Sequence, residues 1–414
     1  MKAGSEVSSP ANAADDIELL EYGSRKLARD TLDEDTALAF LQRFAKYVSL
    51  DFPTPANAQQ WVFTAKDTVG YFPLDASRAV RVLPKVRVHN VLGMLERAYD
   101  LPISILNDSA NINSLNAMFH YLAGHLAQLV LSRAKRGLAK AYQARHDDLP
   151  YVRGRIDVAT QLRRPVAVRF ACDYQEHSFD IHDNHVLRWT LLQLSRARLR
   201  EPAKGRVRLA QHTLASVVSL LPVHAHEAVA PYYDRLRQDY RPMHALCRLF
   251  LDSLTPTLAR GQLESVPLLI SMPKLFERYV FAVLRDYLRD YLGQQNLRVR
   301  QQVPVPIGHG VSFQIDIVIE DASGQTLLVL DTKYKDVYAP SSNDVQQVVA
   351  YAEAMGCTQA ALVYPTLTQP MTLSIGRKQV HRLELNLGGD LPEAAKAFCE
   401  ACFEACIVDG HALH

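Results

Sequence analysis

The chain has 414 residues, of which 48% are hydrophobic and 22% are charged, and its formal net charge is +2. This composition is typical of a folded globular protein with sizeable cores, and the length suggests two or three domains. A nearly neutral chain has no general attraction for nucleic acid, so any such binding must come from local patches. The composition excludes a disordered polyelectrolyte, because apolar residues are abundant.

Three sequence features bear on where the protein works. No apolar run approaches the roughly 20 residues that cross a bilayer, so no membrane partner is expected. The first 20 residues contain no apolar signal core, and the six cysteines show no framework-like pairing. We therefore expect a cytoplasmic protein. The G-x-x-x-x-G-K-[ST] phosphate loop is also absent from the sequence, so nucleotide hydrolysis by that route is not expected.

The N-terminal part of the chain predicts two regions. Residues 1–50 form an N-terminal extension that is expected to be partly disordered and then helical, because residues 34–48 carry apolar side chains at helical spacing. A small β-rich domain is predicted over residues 51–110. Within it, residues 61–88 alternate and turn like short antiparallel strands.

The middle of the chain, residues 111–262, predicts a helical region that carries a long β-hairpin at about 150–176. Arginine is frequent in this hairpin, and its planar guanidinium suits the recognition of phosphates and carboxylates. The predicted partner-binding residues are Arg153, Arg155, Arg163 and Arg164. A surface hairpin without a partner explains the same pattern equally well.

A basic stretch over residues 196–209 follows and is interpreted as a helix end and linker. Its arginines could bind the phosphate backbone of a nucleic acid by displacing counterions. They could equally be solvated side chains of a linker. Arg206 and Arg208 are retained as candidate nucleic-acid-binding residues.

The last part of the chain, residues 263–414, follows an α/β order. The pattern predicts a mixed sheet that is flanked by helices. The predicted helices span 273–292, 343–355 and 391–407, and the predicted strands span 297–306, 311–320, 326–334 and 360–365.

Two acids belong to neighbouring predicted strands of this region. Asp316 lies in the strand 311–320, and Asp331 ends the next strand, which follows a turn rich in Gly, Asp and Ser. Two carboxylates on adjacent strands make an oxygen site of the kind that Mg²⁺ prefers. Lys333 lies two residues beyond Asp331 on the same face, where it could orient a water molecule or offset charge on a phosphate.

Three further residues complete an ordered set. Glu277 lies at the edge of the apolar stripe of helix 273–292 and is a candidate third metal ligand, directly or through water. Gln347 and Tyr351 are four residues apart and share one face of helix 343–355. The competing interpretation is a structural hairpin with charged residues at its rim, but it does not account for the whole ordered series.

The series Glu277, Asp316, Asp331-x-Lys333, Gln347-x-x-x-Tyr351 resembles the PD-(D/E)xK nuclease superfamily, in particular its RecB-type branch. The residue before Asp316 is Ile315 and not the proline of the superfamily's name. Other segments resemble the McrC family of McrBC modified-DNA restriction systems. These segments are "VGYFPLDASRAVRVLPKV" (69–86), "RGLAKAY" (136–142), "VRGRIDVATQL" (152–162), "CDYQEHSFDIHDNHVLRWTL" (172–191) and "MPKLFERYV" (272–280).

This resemblance implies a Mg²⁺-dependent endonuclease that acts on double-stranded DNA, with Mn²⁺ as a substitute, and that works with an AAA+ GTPase or ATPase ring of the McrB type. It implies that Asp316, Asp331 and Glu277 bind metal and that Lys333 is the catalytic lysine. Gln347 and Tyr351 would hold the site or the DNA, and Lys335 would contact nucleic acid. Two alternatives stay open, namely a stand-alone RecB-like nuclease and a non-catalytic activator of the ring.

Cysteines near the C-terminus raise the question of an iron–sulfur cluster. Cys399, Cys402 and Cys406 follow the spacing of one helix face, and Cys247 could supply a fourth ligand. Cysteine is also a common small apolar residue on buried helix faces. A structural role is therefore expected and a cluster is not.

Overall fold

The computed structural model of the chain describes residues 16–75, 77–101, 114–164, 168–230, 232–254, 269–291, 297–335, 341–366 and 371–407. The chain forms two compact units. The first unit combines residues 1–115 with 268–414, and the second unit comprises residues 116–267. Across the described residues, none of the helices has the length and apolar character needed to span a membrane.

The N-terminal part of the first unit contains two small sheets. Strands β2, β4 and β3 pair in the order β2-β4-β3, and β1, β6, β5 and β10 pair in the order β1-β6-β5-β10. Buried and more exposed side chains alternate along these strands, as in β4, where Trp61, Phe63 and Ala65 are buried. The elements are β1 (Ile17–Leu20), β2 (Ser24–Leu27), α1 (Glu34–Phe44), β3 (Val48–Asp51), β4 (Trp61–Ala65), β5 (Thr68–Pro73), β6 (Ala79–Leu83), α2 (Val88–Ala98) and β10 (Leu269–Ser271).

The domain boundary that the sequence predicted at residue 50 is not present in the structure. Strand β1 pairs in parallel with β6, and β3 pairs with β4, so residues 17–51 are part of the β-rich region and not a separate extension. The helix predicted at 34–48 is present as α1, and the side chain of Asp33 caps it by accepting a hydrogen bond from the Thr36 amide. The disorder expected for the first residues lies outside the described part of the chain.

A buried carboxylate joins these strands to the C-terminal part of the same unit. Glu21 follows β1 and has no exposed surface. Its Oε1 accepts hydrogen bonds from the Lys85 amide at 2.7 Å and from the Tyr334 hydroxyl at 2.8 Å. Because buried donors that lose their acceptor cost free energy, Glu21 is a stabilising contact of the first unit.

We expect Glu21→Ala to lower the free energy of unfolding by about 2 kcal/mol, because two buried donors lose their acceptor. The measurement is urea denaturation followed by tyrosine fluorescence and circular dichroism. Glu18→Ala is the matched control, since the side chain of Glu18 on the preceding strand is 54% exposed. Equal stability of the two variants would contradict the stabilising role of Glu21.

The second unit is mainly helical and carries a three-stranded sheet in the order β7-β9-β8. Helix α5 packs against α6 and α7. A buried amide contributes to this core, since Asn184 donates to the carbonyls of Ala139 and Phe179 and accepts from the Tyr240 hydroxyl. The elements are α3 (Leu115–Arg136), β7 (Ala141–Leu149), β8 (Arg155–Ile156), α4 (Val158–Leu162), β9 (Phe170–Ser178), α5 (His182–Arg196), α6 (Ala203–Ala215) and α7 (Tyr240–Ser253).

The long hairpin exists, but the expected position of its first strand was wrong. Strand β7 pairs with β9 over nine residues, from Ala141–Ser178 to Leu149–Phe170. The segment after residue 150 forms the short strand β8 and the helix α4 instead. Helix α4 begins there because Asp157 caps it, accepting from the amides of Ala159 and Thr160 at 3.1 Å.

The linker expected around residue 204 was also wrong, because residues 203–215 form helix α6. Val207, Ala210 and Leu214 are buried at helical spacing. The basic residues of this stretch lie on the opposite, exposed face. Arg206 and Arg208 are therefore exposed side chains of a helix.

The C-terminal part of the first unit contains a six-stranded mixed sheet in the order β11-β12-β13-β14-β16-β15. The first three strands are antiparallel, β13, β14 and β16 are parallel, and β15 is antiparallel to β16. Helix α9 packs against β13 and β14, and α8 packs against α10. The elements are α8 (Met272–Tyr291), β11 (Arg298–Gly308), β12 (Val311–Glu320), β13 (Thr326–Thr332), α9 (Ser342–Ala354), β14 (Gln359–Tyr364), β15 (Met371–Ile375), β16 (Lys378–Glu384) and α10 (Leu391–Ile407).

Candidate functional site

The register of β12 and β13 brings the two candidate acids together. Ile317 pairs with Leu330, so one residue further along the strands Asp316 lies opposite Asp331 on the same face. The Oδ2 atom of Asp316 accepts hydrogen bonds from the Thr332 amide at 2.8 Å and from its hydroxyl at 2.9 Å. The two acids therefore face each other across neighbouring strands, Asp316 in the middle of β12 and Asp331 near the end of β13.

A chain of polar contacts runs from Asp331 to helix α9. Asp331 is only 2% exposed, and its Oδ2 lies 2.7 Å from the Nζ of Lys333. That Nζ donates to Gln347 Oε1 at 2.9 Å, and Gln347 Nε2 donates to the Tyr351 hydroxyl at 2.6 Å. Gln347 and Tyr351 act as a pair because residues four apart face the same way on a helix. The structure thus brings four of the six candidate residues into one network.

Electrostatics make Asp331 an unusual carboxyl group. Burial, together with the negative charge of Asp316, raises the pKa of Asp331 to about 6, although Lys333 acts in the opposite direction. Burial works against the charge of Lys333, but the ion pair with Asp331 raises its pKa above the ordinary value. Lys333 is therefore an ammonium group at neutral pH. Asp331 is ionised at that pH, but its buried charge lowers the stability of the folded state.

This cost predicts a pH dependence of stability in the absence of metal. The native state binds a proton at Asp331 below about pH 6, whereas the unfolded chain binds it only near pH 4, so the native state is favoured at the lower pH. The free energy of unfolding is expected to fall by up to about 3 kcal/mol as the pH rises from 4 to 6. Denaturation in urea and EDTA at each pH measures it. If the free energy of unfolding of Asp331→Asn changed with pH in the same way, Asp331 would not be the source of the pH dependence.

Glu277 lies on α8 at a different side of the site. Its Oε1 accepts hydrogen bonds from Nε2 of Gln301 at 3.2 Å and of Gln302 at 2.5 Å, both on β11. Burial and the charge of Asp316 raise the pKa of Glu277. The structure therefore couples Glu277 electrostatically to Asp316, while its hydrogen bonds go to the two glutamines.

Sequence reasoning missed four polar residues of this site. Thr332, between the acid and the lysine, orients Asp316, and Gln301 and Gln302 orient Glu277. Asp344 on α9 lies 2.5 Å from Lys335 Nζ, and its charge acts on Asp331 and Lys333. The position of Asp344 three residues before Gln347 on one helix was the only signal for it.

Two carboxylates are the most suitable metal ligands in this arrangement. The buried Oδ2 atom of Asp331 has the Lys333 ammonium group 2.7 Å away as its charged partner, so this oxygen already lies in a position that favours a cation. No set of three or more His, Cys, Asp or Glu side chains in the described ranges is arranged to hold a metal. The residues thus fit an ion such as Mg²⁺, which takes one or two carboxylates and completes its shell with water and phosphate.

The remaining candidate residues belong to the second unit. Arg153 is half-buried, with its guanidinium 4.1 Å from the centre of the Tyr174 ring, while Arg155 is exposed on β8. Arg163 and Arg164 are exposed at the end of α4, where Arg164 pairs with Asp148 at 2.8 Å. These arginines therefore lie in the segment between β7 and β9 and not on the first strand of the hairpin, where Arg153 and Arg155 were expected.

The cysteines of the last helix lie on a buried face. Cys399 and Cys402 are buried on α10, and Cys399 Sγ lies 3.8 Å from the carbonyl oxygen of Val283 on α8. Burial raises the pKa of the Cys399 thiol to about 12. The side chain of Cys406 lies outside the described residues.

Comparison with known proteins places the chain in a family. A family model described as McrBC 5-methylcytosine restriction system component matches residues 63–365. No curated protein matches the chain. One solved structure, a half-complex of Thermococcus gammatolerans McrB AAA+ hexamers with bound McrC, includes a chain with a TM-score of 0.55 and 17% identity. The alignment covers 94% of this chain and 100% of that chain.

A second solved structure, the Thermococcus gammatolerans McrBC complex, aligns at a TM-score of 0.44 and 19% identity, over 67% of this chain and 89% of that chain. The likeness to the first structure, at 17% identity, supports a shared fold. The family model spans well over half of the 414 residues. This chain therefore belongs to the McrBC 5-methylcytosine restriction system component family.

Proposed function

We propose that this chain is the nuclease subunit of a restriction system, in which an AAA+ ring of the McrB type drives Mg²⁺-dependent hydrolysis of double-stranded DNA. The observation that carries the proposal is the convergence of Asp316, Asp331 and Lys333 on one face of the neighbouring strands β12 and β13. A structural hairpin has no need to bury a carboxylate beside a second one, because that arrangement costs stability.

The residues suit phosphodiester hydrolysis. When bound, Mg²⁺ would lower the pKa of a coordinated water and draw charge from the scissile phosphate. Asp316 and Asp331 would hold the ion, and Glu277 would act through its charge on Asp316. Lys333 is an ammonium group, so its Nζ donates hydrogen bonds and positive charge to the phosphate oxygens and does not act as a base. Gln347 and Tyr351 hold that Nζ in place.

Coupling to a ring is the second element of the proposal. The solved complex of Thermococcus gammatolerans contains McrB AAA+ hexamers with bound McrC. The sequence of our chain lacks a phosphate loop, so a separate subunit would have to supply nucleotide hydrolysis. The second unit offers Arg163 and Arg164, which are exposed directly after α4, as the contact, since guanidinium groups pair with carboxylates and phosphates.

We expect Arg163→Ala/Arg164→Ala to reduce stimulation of the ring's nucleotide hydrolysis at least tenfold, because one lost charge-assisted contact is worth about 1.5–3 kcal/mol. The exposure of both side chains means that folding should be unaffected. The matched control is Arg206→Ala/Arg208→Ala, which removes two exposed arginines from α6 of the same unit. Equal loss in both variants would point to a general charge effect and against this contact.

The deciding experiment is cleavage of methylated and unmethylated circular DNA by the purified chain. Reactions contain Mg²⁺, Mn²⁺ or EDTA, with and without the McrB-type partner and GTP or ATP. Cleavage that needs metal and ring supports the proposal. Cleavage without the ring would indicate a stand-alone nuclease, and stimulation of the ring without any cleavage would indicate a non-catalytic activator.

A further inference from the structure

A cavity of about 410 Å³ lies in the first unit, next to the segment that carries the catalytic lysine. This volume is in the range of small-ligand sites. Aromatic, cationic and apolar groups line it together, which is the combination that a nucleotide requires. The lining includes Tyr22, Lys85, Val86, Tyr334, Lys335 and Leu387.

Tyr22 is held in an unusual backbone conformation at the edge of this cavity. Its φ is +58°, in the left-handed region that bulky residues rarely adopt. A tight turn imposes this conformation, since the Gly23 amide donates to the Leu20 carbonyl at 2.9 Å and the Tyr22 amide donates to the Lys66 carbonyl. The side chain is nevertheless 46% exposed, so burial of the ring does not explain the strain. Strained residues of this kind cluster at binding sites.

Contacts around the cavity fix the ring before any ligand arrives. The Tyr22 hydroxyl donates to the Tyr334 carbonyl at 3.3 Å, and the Tyr334 hydroxyl is bound by Glu21. The Nζ of Lys85 lies 5.3 Å from the centre of the Tyr22 ring. An aromatic ring that is already ordered loses little entropy when a base stacks on it.

The cavity is connected to the catalytic residues. Lys335, in its wall, is two residues beyond Lys333 and forms an ion pair with Asp344. The charge of Asp344 acts in turn on both Asp331 and Lys333. Tyr334 and Lys335 thus form one wall of the cavity three and four residues beyond Asp331, so a DNA strand bound at Asp331 could reach the ring of Tyr22 past Lys335.

We propose that this cavity binds one unpaired nucleotide of the DNA strand, with its base against Tyr22 and its phosphate at Lys85 and Lys335. The assignment rests on the proposed nuclease function, because it places the nucleotide beside the scissile phosphate. Base stacking on an aromatic ring is tolerant of sequence, as a nuclease subunit that leaves recognition to its partner would need. The site would thus hold the DNA strand in a fixed position without recognising its base sequence.

The test uses the full-length chain with Asp331→Asn, which prevents cleavage, and a single-stranded 12-mer that contains 2-aminopurine. Tyr22→Asn is expected to weaken binding by roughly tenfold and to remove the change in 2-aminopurine fluorescence. Its melting temperature should stay equal or rise, because asparagine adopts the left-handed region readily. Tyr22→Phe keeps the ring but loses its hydrogen bond to the Tyr334 carbonyl, so it should retain the change in 2-aminopurine fluorescence and bind more tightly than Tyr22→Asn. Tyr232→Asn, which removes a tyrosine that is 73% exposed in the second unit, is the control.

Lys85→Gln provides a second variant that leaves the turn intact, and it should weaken binding and reduce its salt dependence. Unchanged binding in both Tyr22→Asn and Lys85→Gln would overturn the assignment. So would binding of free GTP or ATP at Tyr22 in place of the oligonucleotide. Failure of the unsubstituted chain to cut DNA with its ring would count against the nuclease function, whereas normal cutting by Tyr22→Asn would count only against the nucleotide site.

Discussion

Asp331→Asn is expected to lower the rate of DNA cleavage by at least about a thousandfold, while the free energy of unfolding stays within about 1 kcal/mol of wild type or rises. The amide cannot hold Mg²⁺ as the carboxylate would, so the reaction loses its metal. Stability is preserved because the substitution removes an unfavourable buried charge and its repulsion from Asp316, while Lys333 keeps its hydrogen bond to Gln347 and the charges of Asp344 and Asp316. Single-turnover cleavage and urea denaturation in EDTA measure the two effects.

Glu353→Gln is the matched control for this substitution. It changes a carboxylate of the same unit on α9, but that side chain is 76% exposed and pairs only with Lys378 among its charged neighbours in the described structure. Its cleavage rate should remain at the wild-type value. Full activity of Asp331→Asn would show that Asp331 is not a metal ligand. Unfolding of that variant would show that the carboxylate is needed for the fold.

The central strands and their acids could be predicted from the sequence because they follow a simple pattern. Residues 311–320 alternate cleanly, and the turn that follows is rich in Gly, Asp and Ser. These signals predict two paired strands, but the register comes from the structure, in which a shift between Ile319 and Glu320 leaves Asp316 and Asp331 on one face. The observed strands β12 and β13 agree with this prediction to within two residues at each end.

Elements without a buried face could not be predicted in this way. Strand β7 is exposed at most of its nine positions, so its sequence shows no alternation, and β15 at the sheet edge behaves similarly. Both strands form because they pair with a neighbouring strand along their whole length, which is information that a local pattern does not contain. The polar residues Gln302 and Asp344 were missed for a related reason, since their roles depend on contacts between distant segments.

Substitution of Lys333 should affect stability in the opposite way to substitution of Asp331. We expect Lys333→Gln to lower the cleavage rate at least a hundredfold, because the reaction loses the positive charge beside the phosphate. In contrast to Asp331→Asn, it should also lower the free energy of unfolding by up to about 3 kcal/mol in EDTA, since Asp331 loses the cation that offsets its buried charge and its pKa rises further. Activity assays and urea denaturation again separate the two effects.

Two further measurements identify the cause of this loss. The double variant Asp331→Asn/Lys333→Gln should regain most of the stability but none of the activity, because neither buried charge remains. Mg²⁺ should stabilise Lys333→Gln more than it stabilises wild type, since the ion replaces the missing ammonium group beside the carboxylates. If Lys333→Gln were as stable as wild type in EDTA, the ion pair with Asp331 would not be the contact that offsets the buried charge, and the electrostatic account of the site would be wrong.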